Sequence, residues 1–209
     1  MSNIILLRHP EVVQWLLGDL SFLPAITPKN KTTDTKALKL LEDKWGQEIL
    51  KLKRPDLTLD KQWTNKFGEH ICEELLTLQG LAVSKPKNIN HYQPDLETPD
   101  AIWEAKACTF YTTGTACEKI LGCPFKYAEV PDLYNKPLKI LCIGGAERTC
   151  REQYGNLPGP KNSTQKSKFL SFFKDNRIEF VAASDLVKSL NLPSEPEPLE
   201  LPNLAALHL

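Results

Sequence analysis

Apolar residues recur at helical spacing in two stretches near the start of the chain, 11–23 (EVVQWLLGDLSFL) and 35–53 (TKALKLLEDKWGQEILKLK). A polar linker with Pro24, Pro28, Asn30 and Thr32–Thr33 separates them. A third helix is predicted over about 60–79, with Gly80 as its C-terminal stop. The texture then changes to short runs rich in β-branched and aromatic residues: LAVSK (81–85), INHYQPDL (89–96) and AIWEAKACTFY (101–111). Residues 112–130 read as a helix capped by Thr112 or Thr113, and 137–145 (PLKILCIGG) as a buried strand. Lys166–Asp175 reads as a helix, 178–184 (IEFVAAS) as a strand, and 184–191 as a short closing helix. From Pro193 the chain is Pro-rich and acidic and is expected to lie over the surface or stay partly disordered. Helices, then three strands, then alternating helix and strand, define an α/β fold with a central mixed sheet flanked by helices. The expected division is an N-terminal helical region over 1–59, a core over 60–192 and a tail over 193–209.

Length agrees with this picture, since 209 residues fit one domain with a substantial core. The 26 basic and 26 acidic side chains cancel, which argues against a generally sticky polycation. A nucleic-acid partner remains open, because local charge decides that. No apolar run approaches the ~20 residues of a membrane helix. The opening MSNIILLR lacks a basic n-region and a small-residue cleavage site, so no signal peptide is read. The six cysteines, Cys72, Cys108, Cys117, Cys123, Cys142 and Cys150, include no C-x-x-C pair. They are expected to be reduced structural thiols in a cytoplasmic protein. His70 and His91 lack a ligand cluster and read as structural.

Candidate chemistry is concentrated in 94–106, PDLETPDAIWEAK. A carboxylate followed two residues later by Lys also occurs at Asp34/Lys36 and Glu42/Lys44, so the triplet alone means little. The first lies in the polar linker, and the second in a helical pattern where positions i and i+2 point apart. Only Glu104/Lys106 falls in a strand-like run. There the period of two puts Ile102, Glu104, Lys106 and Cys108 on one face, with Trp103, Ala105 and Ala107 on the other. Two charges side by side in an apolar strand are costly as plain core. Pro-Asp dipeptides end at Asp56, Asp95, Asp100 and Asp132. If Glu97–Asp100 is a four-residue hairpin loop, Leu96 opposes Ala101 and Asp95 opposes Ile102, on the Glu104 face. Asp95 and Glu104 are then diagonal neighbours with backbones about 7–8 Å apart. That suits two carboxylates converging on a small cation at ~2.1 Å. Asp100, ~13 Å along the strand from Glu104, fits less well.

This PD…ExK arrangement resembles the PD-(D/E)XK nuclease superfamily. The longer run PDLET…AIWEAK…TTGTACEKILGCPFKYAEV is similar to type II restriction endonucleases in particular. The resemblance is specific over about 93–130, loose over 61–185 and absent from 1–55 and the tail. It implies a restriction-endonuclease-like core and Mg²⁺-dependent cleavage of double-stranded DNA at a short sequence, leaving 5′-phosphate ends. It further implies Asp95, Glu104 and the Ala105 carbonyl as metal ligands, with Lys106 beside the attacking water. Burial and the metal are expected to push the Lys106 pKa down, as a general base requires. A glutamate from the preceding helix often joins such sites, and Glu69 in FGEHICEELL matches that pattern, with a solvated helix face as the alternative. Palindrome cutting implies a homodimer.

For DNA contact, Thr113 could receive a phosphate at a helix start, or act as an ordinary cap. Lys119 and Lys126 face either DNA or solvent. Arg148, Arg151 and Gln153, in an expected loop after the 137–145 strand, offer side chains suited to base edges. Lys161, Lys166 and Lys168 follow as candidate phosphate contacts.

Overall fold

A computed structural model describes residues 5–58, 62–111 and 115–190. Its N-terminal part is helical. A 3₁₀ turn at Leu6–Arg8 leads into helix α1 (Pro10–Leu17), which starts on a favourable first-turn proline. α1 is shorter than the periodicity predicted, because Gly18 adopts a left-handed φ of 83° and terminates it. Helix α2 (Lys31–Lys53) begins earlier than expected. The Asn30 side chain accepts from the Thr33 N–H and caps it, so Thr32 and Thr33 belong to the helix, not the linker. Helix α3 spans Trp63–Leu78, and Gly80 follows its end with φ 81°.

The expected strands at 81–85 and 89–96 are largely absent. The first makes one isolated bridge, Ser84 to Glu97, and the second a local bridge, Ile89 to Tyr92. A short strand β1 (Leu96–Glu97) is followed by β2 (Ile102–Cys108), β3 (Leu138–Gly144) and β4 (Ile178–Ala182). Among the described residues these form one mixed sheet in the order β1-β2-β3-β4. β1 runs antiparallel to β2, whereas β2–β3 and β3–β4 are parallel. The long helix predicted over 112–130 is instead a 3₁₀ turn at Thr115–Ile120 and two single-turn helices, α4 (Cys123–Lys126) and α5 (Val130–Leu133). Pro124 and Pro131 each sit in a first turn and restart the chain there, which a continuous helix cannot accommodate. The expected loop after β3 is also helical: α6 (Gly145–Thr149) continues into a π-type turn at Cys150–Tyr154. Helix α7 (Thr164–Asp175), capped by Ser163, and helix α8 (Ala183–Ser189) complete the described chain. The Thr112/Thr113 cap and the 193–209 tail lie outside the described residues.

The sheet is covered on both faces. Trp103, Ala105, Ala107, Leu141 and Ile143 face the N-terminal helices and α8. There Trp15, Trp45, Trp63 and Phe67 pack with ring centroids 5.1–6.4 Å apart. Ile102, Leu138, Ile140 and Ile178 face Cys123, Tyr127, Val130 and Phe173 on the opposite side. The N-terminal region thus shares one core with the sheet. Gly144 shows how tightly: its φ is +59°, and a Cβ there would lie 2.4 Å from the Trp15 ring. The buried Glu42 ties α2 to the end of β2, accepting from Phe110 N–H at 2.9 Å and Trp15 Nε1–H at 2.7 Å. Among the described residues no helix is long and apolar enough to cross a membrane.

Candidate active site

The hairpin register places the first acidic group. Leu96 pairs with Trp103 and Glu97 with Ile102, so the loop is Thr98–Ala101, not Glu97–Asp100. Thr98 closes this turn. Its N–H donates to the Ala101 carbonyl at 2.9 Å, and its hydroxyl oxygen accepts from Trp103 Nε1–H at 3.1 Å. The Thr98 hydroxyl in turn donates to Asp100 at 2.8 Å, which holds Asp100 in the loop. Compared with the expected pairing, the strand is shifted by two residues. Asp95 lies just before β1, where its N–H donates to the Trp103 carbonyl at 3.2 Å and its carboxylate feels the Glu104 charge. Its carboxylate accepts from the Ala105 N–H at 2.8 Å. Backbone groups of one strand residue point the same way, so the Ala105 carbonyl also faces the β1 edge, beyond the end of β1.

Glu104 is 4% exposed. Its Oε1 accepts from Lys106 Nζ at 2.5 Å and from the Tyr127 hydroxyl at 3.0 Å. Its other oxygen, Oε2, is buried without a hydrogen-bond partner. Lys126 Nζ donates to the Tyr127 hydroxyl oxygen at 3.0 Å and lies over the Tyr127 ring. Cys123 is buried alongside, and burial pushes its thiol up to about 12.

The electrostatics are those of crowded, desolvated carboxylates. Burial, then the Glu104 charge, pushes the Asp95 carboxyl up to about 6; the Ala105 N–H and Lys106 oppose this, and Glu69 adds to it. Lys106 departs from expectation. Burial lowers its pKa, but Glu104, with help from Asp95, outweighs that, and the net shift is upward. Without a metal, Lys106 is a firmly held ammonium and not a base.

Glu69 lies on α3 and pairs with Lys66 at 2.8 Å. It also meets Lys85 at 3.5 Å, and Lys85 Nζ donates to the Asp95 carbonyl at 3.0 Å. Glu69 thus reaches Asp95 through Lys85. Lys119 lines a cavity of about 220 Å³ together with Lys106, Asn65 and Ala146.

The arginines do not join this group. Arg148 donates to the Phe110 carbonyl and stacks on its ring. Arg151 pairs with Glu147 at 2.8 Å and with Asp185 at 3.2 Å. Both line a separate groove of about 880 Å³ between α1 and α8. Gln153 and Lys161 are exposed and Lys166 is half-buried, while Thr113 lies outside the described residues. Tyr127, Lys85 and Asn65 escaped the sequence reading. Tyr127 sits in a mixed run (KYAEV) that reads as part of a helix, and its hydroxyl gives no periodic signal.

Among the described residues no group of three or more His, Cys, Asp and Glu side chains is arranged around a common metal position. The donors at this edge are two carboxylates and a backbone carbonyl. That open set suits Mg²⁺, which keeps several waters and shares its shell with substrate phosphate. The orphaned Glu104 Oε2 and the raised Asp95 both favour a cation there. No protein-family profile, curated protein or solved structure matches the chain.

Proposed function

We propose that the protein is a Mg²⁺-dependent type II site-specific deoxyribonuclease. On this reading it has a restriction-endonuclease-like core and cleaves double-stranded DNA as a homodimer. One observation carries the reading: Asp95, Glu104 and Lys106 meet at the end of β1, with a buried Glu104 oxygen that has no partner.

Asp95, Glu104 Oε2 and the Ala105 carbonyl would hold the ion. When bound, Mg²⁺ supplies positive charge at the scissile phosphate and a more acidic water. Tyr127 and Lys106 fix Glu104 through Oε1, which leaves Oε2 oriented and available. Lys106, as an ammonium, orients the attacking water and neutralises charge growing on the phosphate. The proton of the attacking water leaves to solvent.

A non-specific or repair-type nuclease with the same site is the second reading. It is favoured by the intramolecular bonds of Arg148 and Arg151, which occupy the donors that would otherwise read bases. Incubating plasmid DNA with the protein and Mg²⁺ tests both. Discrete fragments support site-specific cleavage, smearing supports the second reading, and intact plasmid removes the nuclease assignment.

A further inference from the structure

Helix α7 has no buried residue, although it carries three phenylalanines and a leucine. Phe169 is 67% exposed and Phe172 61%, one turn apart on the same side of the helix. Phe125, on the neighbouring α4, is 79% exposed. Phe173 joins the two elements, with ring centroids 6.4 Å from Phe125 and 5.9 Å from Phe172. Isolated exposed apolar residues are ordinary, but three aromatic rings together mark an interaction surface.

The charges around these rings restrict the partner. Lys166, Lys168 and Lys174 share α7 with Phe169 and Phe172, Lys161 shortly precedes it, and none of the four makes an ion pair among the described residues. Asp175 is the one acidic side chain on α7. A two-fold contact between copies would set this basic patch against itself, which repels. The surface also borders the candidate active site, since Phe125 immediately precedes Lys126 and Tyr127, the pair that reaches Glu104.

Resting on the second reading, a repair-type nuclease with this site, we infer that Phe125, Phe169 and Phe172 form a stacking platform for an unpaired nucleic-acid strand beside the candidate active site. The flat bases of an unpaired strand lie on the rings, and the lysines track its phosphates. A base-paired duplex offers no free base faces except at its ends. The platform therefore selects substrates with a single-stranded segment, such as an overhang, a flap or a strand opened near the cut.

The test is binding without metal, so that it does not depend on cleavage. A fluorescein-labelled oligothymidylate of about 16 nucleotides is titrated in EDTA and followed by anisotropy, with a blunt duplex as competitor. Wild type is expected to bind the single strand more tightly than the duplex. Alanine at Phe125, Phe169 or Phe172 weakens binding about tenfold each. Phe169→Tyr keeps the affinity, whereas Phe169→Leu behaves like alanine, because leucine has no π face. Lys168→Gln lowers the salt dependence by about 0.7 in the log–log slope. Full affinity in Phe169→Leu overturns the proposal, as does absence of oligonucleotide binding by the wild type. A dimer that dissociates in Phe169→Ala, with no oligonucleotide binding, replaces the platform with a self-association surface. Binding with the expected variant pattern but no Mg²⁺-dependent cleavage keeps the platform and removes the nuclease reading.

Discussion

Asp95→Asn is expected to make the metal-free protein more stable while abolishing cleavage. Asp95 is held at about 6, against an ordinary 3.8, mainly by burial and by the Glu104 charge. Ionising it in the fold therefore costs about 3 kcal/mol more than in the unfolded chain. Asparagine removes that charge and keeps an oxygen for the Ala105 N–H. The lost charge-assisted hydrogen bond and partial solvent screening reduce the net gain to about 2 kcal/mol.

The sign fixes the pH dependence. A carboxyl whose folded pKa is raised destabilises the fold when ionised, and the fold recovers that energy as pH falls through about 6. The advantage of the variant is thus full above about pH 6, shrinks as pH falls towards about 4, and is gone below that. Urea denaturation of both proteins in EDTA at several pH values reads it directly. Adding Mg²⁺ stabilises the wild type and not the variant, because binding to the native state alone raises its stability. Asp100→Asn is the control. Asp100 accepts only a turn hydrogen bond from Thr98, so its loss costs about 1 kcal/mol and leaves cleavage intact. An Asp95 variant less stable than wild type at about pH 8, or a difference independent of pH, would show that the two carboxylates are not in conflict.

Glu104→Ala and Lys106→Ala are each expected to abolish Mg²⁺-dependent cleavage with unchanged circular dichroism, and cleavage within about tenfold of wild type by either variant refutes the site. Tyr127→Phe removes the hydrogen bond that orients Glu104; it should raise the Mg²⁺ concentration for half-maximal cleavage about fivefold without altering the melting temperature by more than a few degrees. Glu42→Ala leaves Phe110 N–H and Trp15 Nε1–H buried without their acceptor, and denaturation should show a loss of about 3–5 kcal/mol.

The fold was legible where one force dominated. β3 is a buried, mostly apolar run, β4 a short run rich in β-branched and aromatic residues, and α3 carries a clean apolar face ended by glycine, so pattern alone located all three. The pattern failed where local geometry overrode it. Apolar spacing ran on past Leu17, but a left-handed Gly18 ended α1. Helical periodicity ran through 112–130, but prolines at 124 and 131 restarted the chain. The polar run after β3 read as a loop, yet it is helical because its polar groups pair internally. Glu147 accepts from the Ser184 N–H and Arg151, contacts separated by up to 37 positions and invisible to any window.

For the site, the strand period placed Glu104 and Lys106 side by side, and this needed no knowledge of the rest of the fold. The position of Asp95 depends on where a four-residue hairpin loop begins; it begins at Thr98 and not Glu97, which shifts the pairing by two. An odd slip would have exchanged faces and carried Asp95 away from Glu104. A slip of two preserves parity, so the shifted register keeps Asp95 within reach of the Glu104 charge. Burial raises the Asp95 pKa first and the nearby Glu104 charge adds to it, so the cost of ionising Asp95 in the fold is the property most worth measuring. Parity is therefore the robust part of the inference and the position of the loop the fragile part. Tyr127 shows the remaining limit: a residue joining Glu104 from 23 positions away is found only once the chain is folded.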